Sequence, residues 1–122
     1  MRRTAFTLPS LLRAEYTAHV THAHGYGPRG KSRWVREAIA MLFRDDPGLT
    51  QVGLGVDVID KDAVEPIYLD ESTADLMKVG YRILRAQYPE WEGVQGDIIR
   101  AAVMYRLAHD TNDREVFRAN VG

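Results

Sequence analysis

The chain has 122 residues, of which 45% are hydrophobic and 27% charged, and its formal net charge is −1. This composition is typical of one compact globular domain. The absence of cysteine excludes disulfides, thiol nucleophiles and zinc–thiolate sites. No apolar run has the length of a membrane span, and the basic N-terminus lacks the apolar segment of a secretory signal, so a cytoplasmic protein is expected.

The net charge hides an uneven distribution along the chain. Residues 1–44 hold eight Lys or Arg against two Glu, a charge of +6, whereas residues 45–122 hold eight basic and fifteen acidic residues, a charge of −7. The near-neutral total argues against a nucleic-acid binder, but a basic half concentrated at one strand and one helix start argues for one. An uneven distribution without functional meaning is the alternative.

The first half of the chain is predicted to form a strand, a helix, a glycine-bearing turn and a second helix. These elements span Thr4–Leu8, about Ser10–Ala23, Gly25–Gly30 and about Lys31 to Arg44. The spacing of apolar residues predicts one buried face on the second helix and a weaker stripe on the first. The residues concerned are Val35, Ala38, Ile39 and Leu42, and Leu12, Tyr16 and Val20.

The second half repeats the first after a predicted linker over residues 47–63. Its elements span Pro66–Leu69, about Glu71–Gln87, the turn Pro89–Gly93 and about Gln95 to His109. Residues 34–39 match residues 98–103 at an offset of 64, and the strands match at an offset of 61. The core stripes predicted here are Leu76, Val79, Ile83 and Leu84, and Ile99, Ala102, Val103 and Leu107. Such a repeat constrains the fold more than any single motif.

The repeat is needed for burial, because one strand cannot hydrogen-bond alone and two short helices cannot hide their apolar faces. We therefore predict a mainly α fold with a two-stranded antiparallel β-ribbon, formed by two units as a single-chain pseudo-dimer. Residues 1–122 would form one compact domain, with units at 1–46 and 64–110. A tail at 111–122 is predicted to form a short helix from Asp113 that packs Val116 and Phe117 on the body.

The two strands carry different chemistry on their outer faces. Alternation puts Phe6 and Leu8 on one face of the first strand, and Arg3, Ala5 and Thr7 on the other. A paired ribbon fits the major groove of DNA, where Arg reaches guanine O6 and N7, and Thr reaches base edges or the thymine methyl. The second strand points Ile67 and Leu69 inward and Pro66 and Tyr68 outward. Because that outer face has fewer donors, asymmetric reading of DNA is expected.

The stretch Gly30–Ile39, GKSRWVREAI, following a strand, a helix and a glycine-bearing turn, resembles the ribbon-helix-helix DNA-binding proteins of the Arc/MetJ superfamily. Two such units in one chain resemble its tandem members, such as the TraY-like accessory proteins of conjugative DNA transfer. The resemblance implies strand residues in the major groove and a phosphate clamped by backbone amides at the start of each second helix. The residues it assigns to DNA contact, together with the flanking basic residues, are Arg2, Arg3, Ala5, Thr7, Gly30, Lys31, Ser32, Arg33, Tyr68, Gln95 and Gly96.

The function expected from this resemblance is non-catalytic binding of double-stranded DNA, without a cofactor or metal. The protein would be an accessory or regulatory protein of plasmid or conjugative transfer, or a transcriptional repressor. A relaxase or another DNA-processing protein is a candidate partner, and further association on DNA is open. The alternative is a protein-interaction module with the same fold, antitoxin- or adaptor-like, whose acidic half binds a partner.

Two other patterns suggest different chemistry. Gly25–Ser32 matches the phosphate-binding loop G-x-x-x-x-G-K-[ST], which requires a buried strand before it, whereas the preceding residues are polar and helix-like. A nucleotide-binding protein is therefore the least favoured alternative. His19 and His22 could share a helix face, but His24 would not, so these histidines are expected in surface or turn roles rather than in a metal site.

Overall fold

The computed structural model describes residues 1–27, 29–53 and 60–121, with side chains up to residue 111. Two strands and four helices follow one another in the order β1, α1, α2, β2, α3, α4. They span Arg2–Leu8, Ser10–His22, Lys31–Asp45, Ala63–Leu69, Glu71–Gln87 and Val94–Val121. The predicted class, mainly helical with a two-stranded antiparallel sheet, is confirmed.

The two strands pair antiparallel over all seven residues of each. Arg2 lies opposite Leu69 at one end, and Ala5 faces Pro66 at the centre of the register. Seven residue pairs bring together segments about 60 positions apart in the chain, so forming the ribbon closes the long connection between the two halves.

One face of the ribbon enters the core and the other stays outside. Burial alternates at every residue of β2, as the two-residue period of a strand requires. The positions predicted to point inward are confirmed, because Phe6, Leu8, Ile67 and Leu69 are at most 5% exposed. The outer positions of the two strands therefore form a separate surface.

Helices α2 and α4 lie against each other and together supply half of the buried hydrophobic residues among those described. The stripe predicted on α2 is fully buried, and the stripe on α4 is nearly so. Each buried Val, Leu or Ile contributes about 1.5–3 kcal/mol relative to an exposed position. The large ring of Trp34 is also inaccessible, and it packs against Tyr16 of α1 at a ring-centroid distance of 5.7 Å.

Helix α3 buries a face that matches the predicted one in part: Leu84 is buried and Leu76 packs against the core. Val79 is 44% exposed, so its assignment to the core stripe is wrong. The reason is Gly80, where an added Cβ would lie only 2.9 Å from side-chain atoms of Ile98 and Phe43. The helix turns Gly80 toward these neighbours. A pattern of apolar side chains cannot predict this, because glycine has no side chain. The buried positions of α3 are Thr73, Met77, Gly80 and Leu84.

Helix α4 is longer than predicted. It continues through the predicted tail to Val121, because no glycine or proline interrupts the sequence between Asp97 and Val121. A separate helix from Asp113 is therefore wrong, and the side chains of Val116 and Phe117 lie outside those that the structure describes. In the described part of the chain, no helix combines the length and the apolar character needed to cross a membrane.

The predicted linker contributes to the core at its start. Leu49 and Val52 are 2% and 6% exposed, and Asp46 accepts hydrogen bonds from the amides of Thr50 and Gln51. Residues 54–59 of the predicted linker lie outside the described residues. The strand β2 begins at Ala63, the last residue of the predicted linker.

Candidate nucleic-acid interface

The outer face of the ribbon presents one cationic side chain that has no partner in the described structure. Arg3 and Ala5 are exposed on β1, and Arg3 lies opposite Tyr68, which is 47% exposed. Among the residues that the structure describes, Arg3 makes no hydrogen bond or ion pair. Its guanidinium therefore keeps all five donors for an external acceptor. Arg2 is likewise exposed, close enough to Tyr81 to influence that hydroxyl electrostatically.

Thr7 shares this face, but its polar atoms already have an internal partner. The Arg100 Nη2 atom donates to Thr7 Oγ1 at 3.2 Å, and Arg100 Nε donates to the Thr7 carbonyl at 2.9 Å. Arg100 is only 4% exposed. The Thr7 hydroxyl can still donate its own proton, so Thr7 is less available to a ligand than Arg3.

The start of α2 offers backbone amides. The first intrahelical hydrogen bond runs from Trp34 N to the Gly30 carbonyl, so the amides of Lys31, Ser32 and Arg33 precede it and lack an intrahelical acceptor. No side chain caps this helix start. Gly30 is required here, because a Cβ would lie 2.6 Å from the Tyr26 carbonyl oxygen. These amides and the helix dipole favour an anion at this position.

The side chain of Lys31 turns toward the ribbon. Its Nζ lies 3.1 Å from Glu65 Oε1 and 5.3 Å from the centre of the Tyr16 ring. Glu65 is 6% exposed although it is an acid on a strand. Burial, followed by the nearby Glu65 carboxylate, raises the pKa of the Tyr16 hydroxyl. The ammonium group predicted to face a DNA phosphate therefore already neutralises a buried carboxylate.

Arg33 is the more accessible cation at this helix start. Its guanidinium lies over the Tyr26 ring at 4.5 Å, donates to the Gly25 carbonyl, and lies 3.8 Å from Glu37. The side chain is 54% exposed. These contacts orient the guanidinium while leaving about half of it accessible to an anion.

Each second helix binds the strand of the other half by its side chains. Ser32 Oγ accepts from the Tyr68 amide at 3.1 Å, and Arg36 Nη1 donates to the Tyr68 carbonyl at 2.8 Å. On the opposite side, Gln95 Nε2 donates to Thr4 Oγ1 at 2.6 Å, where α4 reaches β1.

Two of these contacts recur at the offsets of the sequence repeat. Arg36 on the Tyr68 carbonyl corresponds to Arg100 on the Thr7 carbonyl, and Lys31 on Glu65 corresponds to Gln95 on Thr4. In both cases the helix residues are 64 positions apart and the strand residues 61 positions apart. The helix starts are thus held beside the ribbon in the same way on its two sides.

The second helix start is less suited to an anion. Gly93, at φ 72°, precedes α4, and Gln95 and Gly96 are half-buried with the Gln95 side chain on Thr4. Asp97 in the first turn is buried and bridged to Arg100 at 2.7 Å, and it accepts from Trp91 Nε1 at 2.8 Å. The structure thus brings Lys31 and Ser32 against the ribbon, leaves the Arg33 side chain on the turn before α2, and gives the Gln95 side chain an internal role.

Sequence reasoning missed three side chains of this region, Arg36, Glu65 and Arg100. A signal for two of them was present, because the repeat aligns Arg36 with Arg100 on otherwise apolar helix faces. Glu65 gave no such signal, since an acid at a strand position is ordinarily assigned to the outer face.

The phosphate-binding-loop match lies between two helices. Residues 25–32, of which Pro28 is outside the described residues, follow α1 rather than a strand, and the sheet is antiparallel. This arrangement lacks the strand–loop–helix context that the motif requires.

The histidines occupy separate positions. His19 is bonded to Asp110 at 2.8 Å, whereas His22 and His24 are exposed. Within the described residues, no group of three or more His, Cys, Asp or Glu could hold a metal ion.

Comparison of the chain with known protein families, with curated proteins and with solved structures finds no match.

Proposed function

We propose that the chain is a single-chain pseudo-dimer of two ribbon-helix-helix units that binds double-stranded DNA through the outer face of the β1–β2 ribbon. The observation that carries the proposal is the exposed, unpaired guanidinium of Arg3 on a two-stranded ribbon that is flanked by the free amides of α2. A two-stranded ribbon fits the major groove of DNA, where the four base pairs can be distinguished by their edges.

The pseudo-two-fold arrangement is supported by the register of the ribbon. Ala5 and Pro66, which face each other, are equivalent at the strand offset of 61, so a two-fold axis would pass between them. The matched Arg36 and Arg100 contacts lie on either side of that axis. One chain would then supply both ribbon-helix-helix units, which a homodimer supplies from two chains.

The two halves are proposed to grip DNA unequally. At one end of the ribbon Arg3 lies opposite Tyr68, and at the other end Thr7 lies opposite Val64, which is 59% exposed. Only the first end therefore offers a guanidinium. Arg favours guanine, and apolar side chains favour contact with thymine methyl groups. The preferred site would therefore be non-palindromic. Such a site suits an accessory protein of DNA transfer or a repressor, with a relaxase or another DNA-processing protein as a partner.

The test is selection of duplexes from a random pool, followed by mobility-shift titrations of the selected and a scrambled duplex at several salt concentrations. Binding to phosphates predicts that affinity falls linearly with the logarithm of the salt concentration. If reversing the sequence of one half-site abolishes the preference while reversing the other does not, the protein reads the two half-sites unequally, as proposed. Equal, weak binding to all duplexes would contradict the proposal.

A protein-interaction module is the second candidate, and the exposed apolar side chains of β2 favour it. Val64 and Tyr68 lie in a half of the chain that carries a charge of −7, which repels phosphates. If the selection yields no preferred duplex while Val64→Ser and Tyr68→Ser abolish capture of a protein partner, this second function is the better account.

A further inference from the structure

A cleft of about 310 Å³ lies between the end of α1, the turn that precedes α2 and the part of α4 that holds Arg106 and Asp110. Its walls include His19, His22, His24, Tyr26, Arg106 and Asp110. Arg3 and the other ribbon residues do not line it, so the cleft is separate from the proposed DNA surface.

Arg106 occupies a position where the repeat has a core leucine. At the helix offset of 64 it corresponds to Leu42, which is inaccessible to solvent, and the side chain of Arg106 is only 13% exposed. A guanidinium at such a position destabilises the fold unless its donors are satisfied. The two halves of the molecule therefore differ here in chemistry at a shared structural position.

Both terminal nitrogens of Arg106 have a hydrogen-bond partner, whereas its Nε atom has none among the described residues. Nη1 donates to the Trp34 carbonyl at 2.8 Å and Nη2 to the Tyr26 hydroxyl at 2.9 Å, and the guanidinium lies 4.6 Å from the centre of the Trp34 ring. The Nε atom is buried and has no hydrogen-bond partner among the described residues. Asp110 Oδ2, at 3.9 Å, is beyond hydrogen-bond distance.

The groups that line the cleft around Arg106 are suited to an oxyanion. Among the described residues, Asp110 is the carboxylate that lines the cleft, and it is hydrogen-bonded to His19 at 2.8 Å. His22 and His24 are exposed at the rim, where imidazole N–H groups can donate. Arg forms its strongest hydrogen bonds with carboxylate and phosphate oxygens. Nη1 and Nη2 of Arg106 each carry a second N–H beside the one already bonded, and these groups can donate to a ligand oxygen.

We propose that this cleft binds a small oxyanion, a carboxylate or a phosphate group, with the Arg106 guanidinium as its cationic donor and His22 and His24 as donors at the rim. Tyr26 connects the site to the start of α2, since its hydroxyl also donates to Glu37 of that helix at 2.8 Å. The proposal is independent of DNA binding.

The test is calorimetric titration of the full chain with sodium phosphate and, separately, with sodium acetate, at constant ionic strength maintained by sodium chloride. Saturable binding of either anion supports the site, and the stronger of the two identifies the ligand class. Arg106→Leu, which installs the residue of the repeat-equivalent position, should weaken binding at least about tenfold, as loss of one charge-assisted hydrogen bond predicts. The His22→Gln/His24→Gln double variant should weaken it less.

The matched control is Arg82→Leu, which removes an exposed arginine of α3 and should leave anion binding unchanged. Thermal unfolding of each variant verifies that it is folded, and Arg106→Lys provides a second variant that keeps the charge but lacks the planar guanidinium. Absence of saturable binding to both anions, or binding by the folded Arg106→Leu variant that is as strong as that of the unaltered chain, would overturn the proposal.

Discussion

Arg3 is the residue on which the proposed reading of base edges depends. It is exposed on the outer face of β1, opposite Tyr68, and no described residue competes for its donors. Its neighbour Thr7 differs, because Arg100 binds both the hydroxyl and the carbonyl of that residue. A position on the outer face does not by itself make a side chain available to DNA. Arg3 and Thr7 should therefore contribute unequally to DNA binding.

We predict that Arg3→Ala weakens binding to the preferred duplex by about 1–3 kcal/mol and blurs the sequence preference, because a bidentate contact to guanine is lost. Tyr68→Ala should have a smaller effect, since its face of the ribbon offers few donors. Mobility-shift titrations on preferred and scrambled duplexes measure both. Arg82→Ala on α3 serves as the matched control, and unchanged affinity in folded Arg3→Ala would remove the ribbon from the DNA surface.

Lys31 has a structural role besides the predicted one. We expect Lys31→Ala to lower the free energy of unfolding by about 1–3 kcal/mol, because the buried Glu65 carboxylate loses its partner. Lys31 is 27% exposed, so water lessens the loss relative to a fully buried pair. The double variant Lys31→Gln/Glu65→Thr installs the Gln95–Thr4 pair of the other half and should regain most of the stability. Urea denaturation measures the difference.

If this double variant is no more stable than Lys31→Ala, the two contacts are not equivalent. In DNA binding, Lys31→Ala should weaken all duplexes about equally and reduce the salt slope by about one unit where the ammonium also reaches a phosphate. An unchanged slope would confine Lys31 to its contact with Glu65.

At the scale of the elements, the end of α2 is tied to α4 by Asp45. Its carboxylate accepts from Arg44 and, at 2.6 Å, from the Tyr105 hydroxyl of α4. The bonds from Arg44, followed by that from Tyr105, lower the pKa of Asp45 from 3.8 to about 2. A carboxyl group with a lowered folded pKa stabilises the fold above its unfolded pKa, and that contribution is lost as the pH falls.

We therefore predict that the thermal midpoint falls between about pH 4 and pH 2, and that Asp45→Asn reduces the dependence on pH in this window. Thermal unfolding followed by circular dichroism at several pH values measures both slopes. Asp75→Asn is the matched control, since Asp75 is exposed on α3 and has no hydrogen-bond or ion-pair partner among the described residues. Identical slopes for Asp45→Asn and the unaltered chain would contradict the assignment.

The turn between α1 and α2 leads to a prediction about nucleotides. Because the loop motif follows a helix rather than a buried strand, we expect no binding of ATP or GTP at physiological concentrations. Calorimetric titration with Mg-ATP measures this directly. A micromolar dissociation constant that Lys31→Ala abolishes would restore the nucleotide-binding alternative.

Sequence predicted the elements of this fold better than their contacts. The faces of both strands followed from alternation, and the core face of α2 followed from helical spacing, because both periods are regular there. The face of α3 followed only in part, since Leu84 is buried as predicted, whereas Gly80 carries no apolar side chain yet lies against Ile98 and Phe43. The Lys31–Glu65 pair could not be predicted, because it joins residues 34 positions apart and buries an acid against its usual preference.

At the scale of the whole molecule, both halves of the ribbon belong to one chain. We predict that the protein is monomeric in the absence of DNA and that its thermal midpoint is independent of protein concentration, because folding requires no second chain. Light scattering should give a mass near 13.8 kDa. Melting curves over a roughly hundredfold range of protein concentration test whether the thermal midpoint is constant. A midpoint that rises with concentration would indicate an obligate oligomer.

The arginine contacts on the outer sides of the ribbon also bear on aggregation. A two-stranded sheet has two open edges, and rows of unpaired amides and carbonyls at such edges invite additional strands from neighbouring molecules. Here Arg36 and Ser32 occupy the polar groups of Tyr68, and Arg100 occupies the carbonyl of Thr7. Both edges are thereby closed to strand addition near these positions. Removal of Arg36 should therefore expose an edge for fibrillar assembly, whereas removal of Arg100 also leaves the buried Asp97 without its partner.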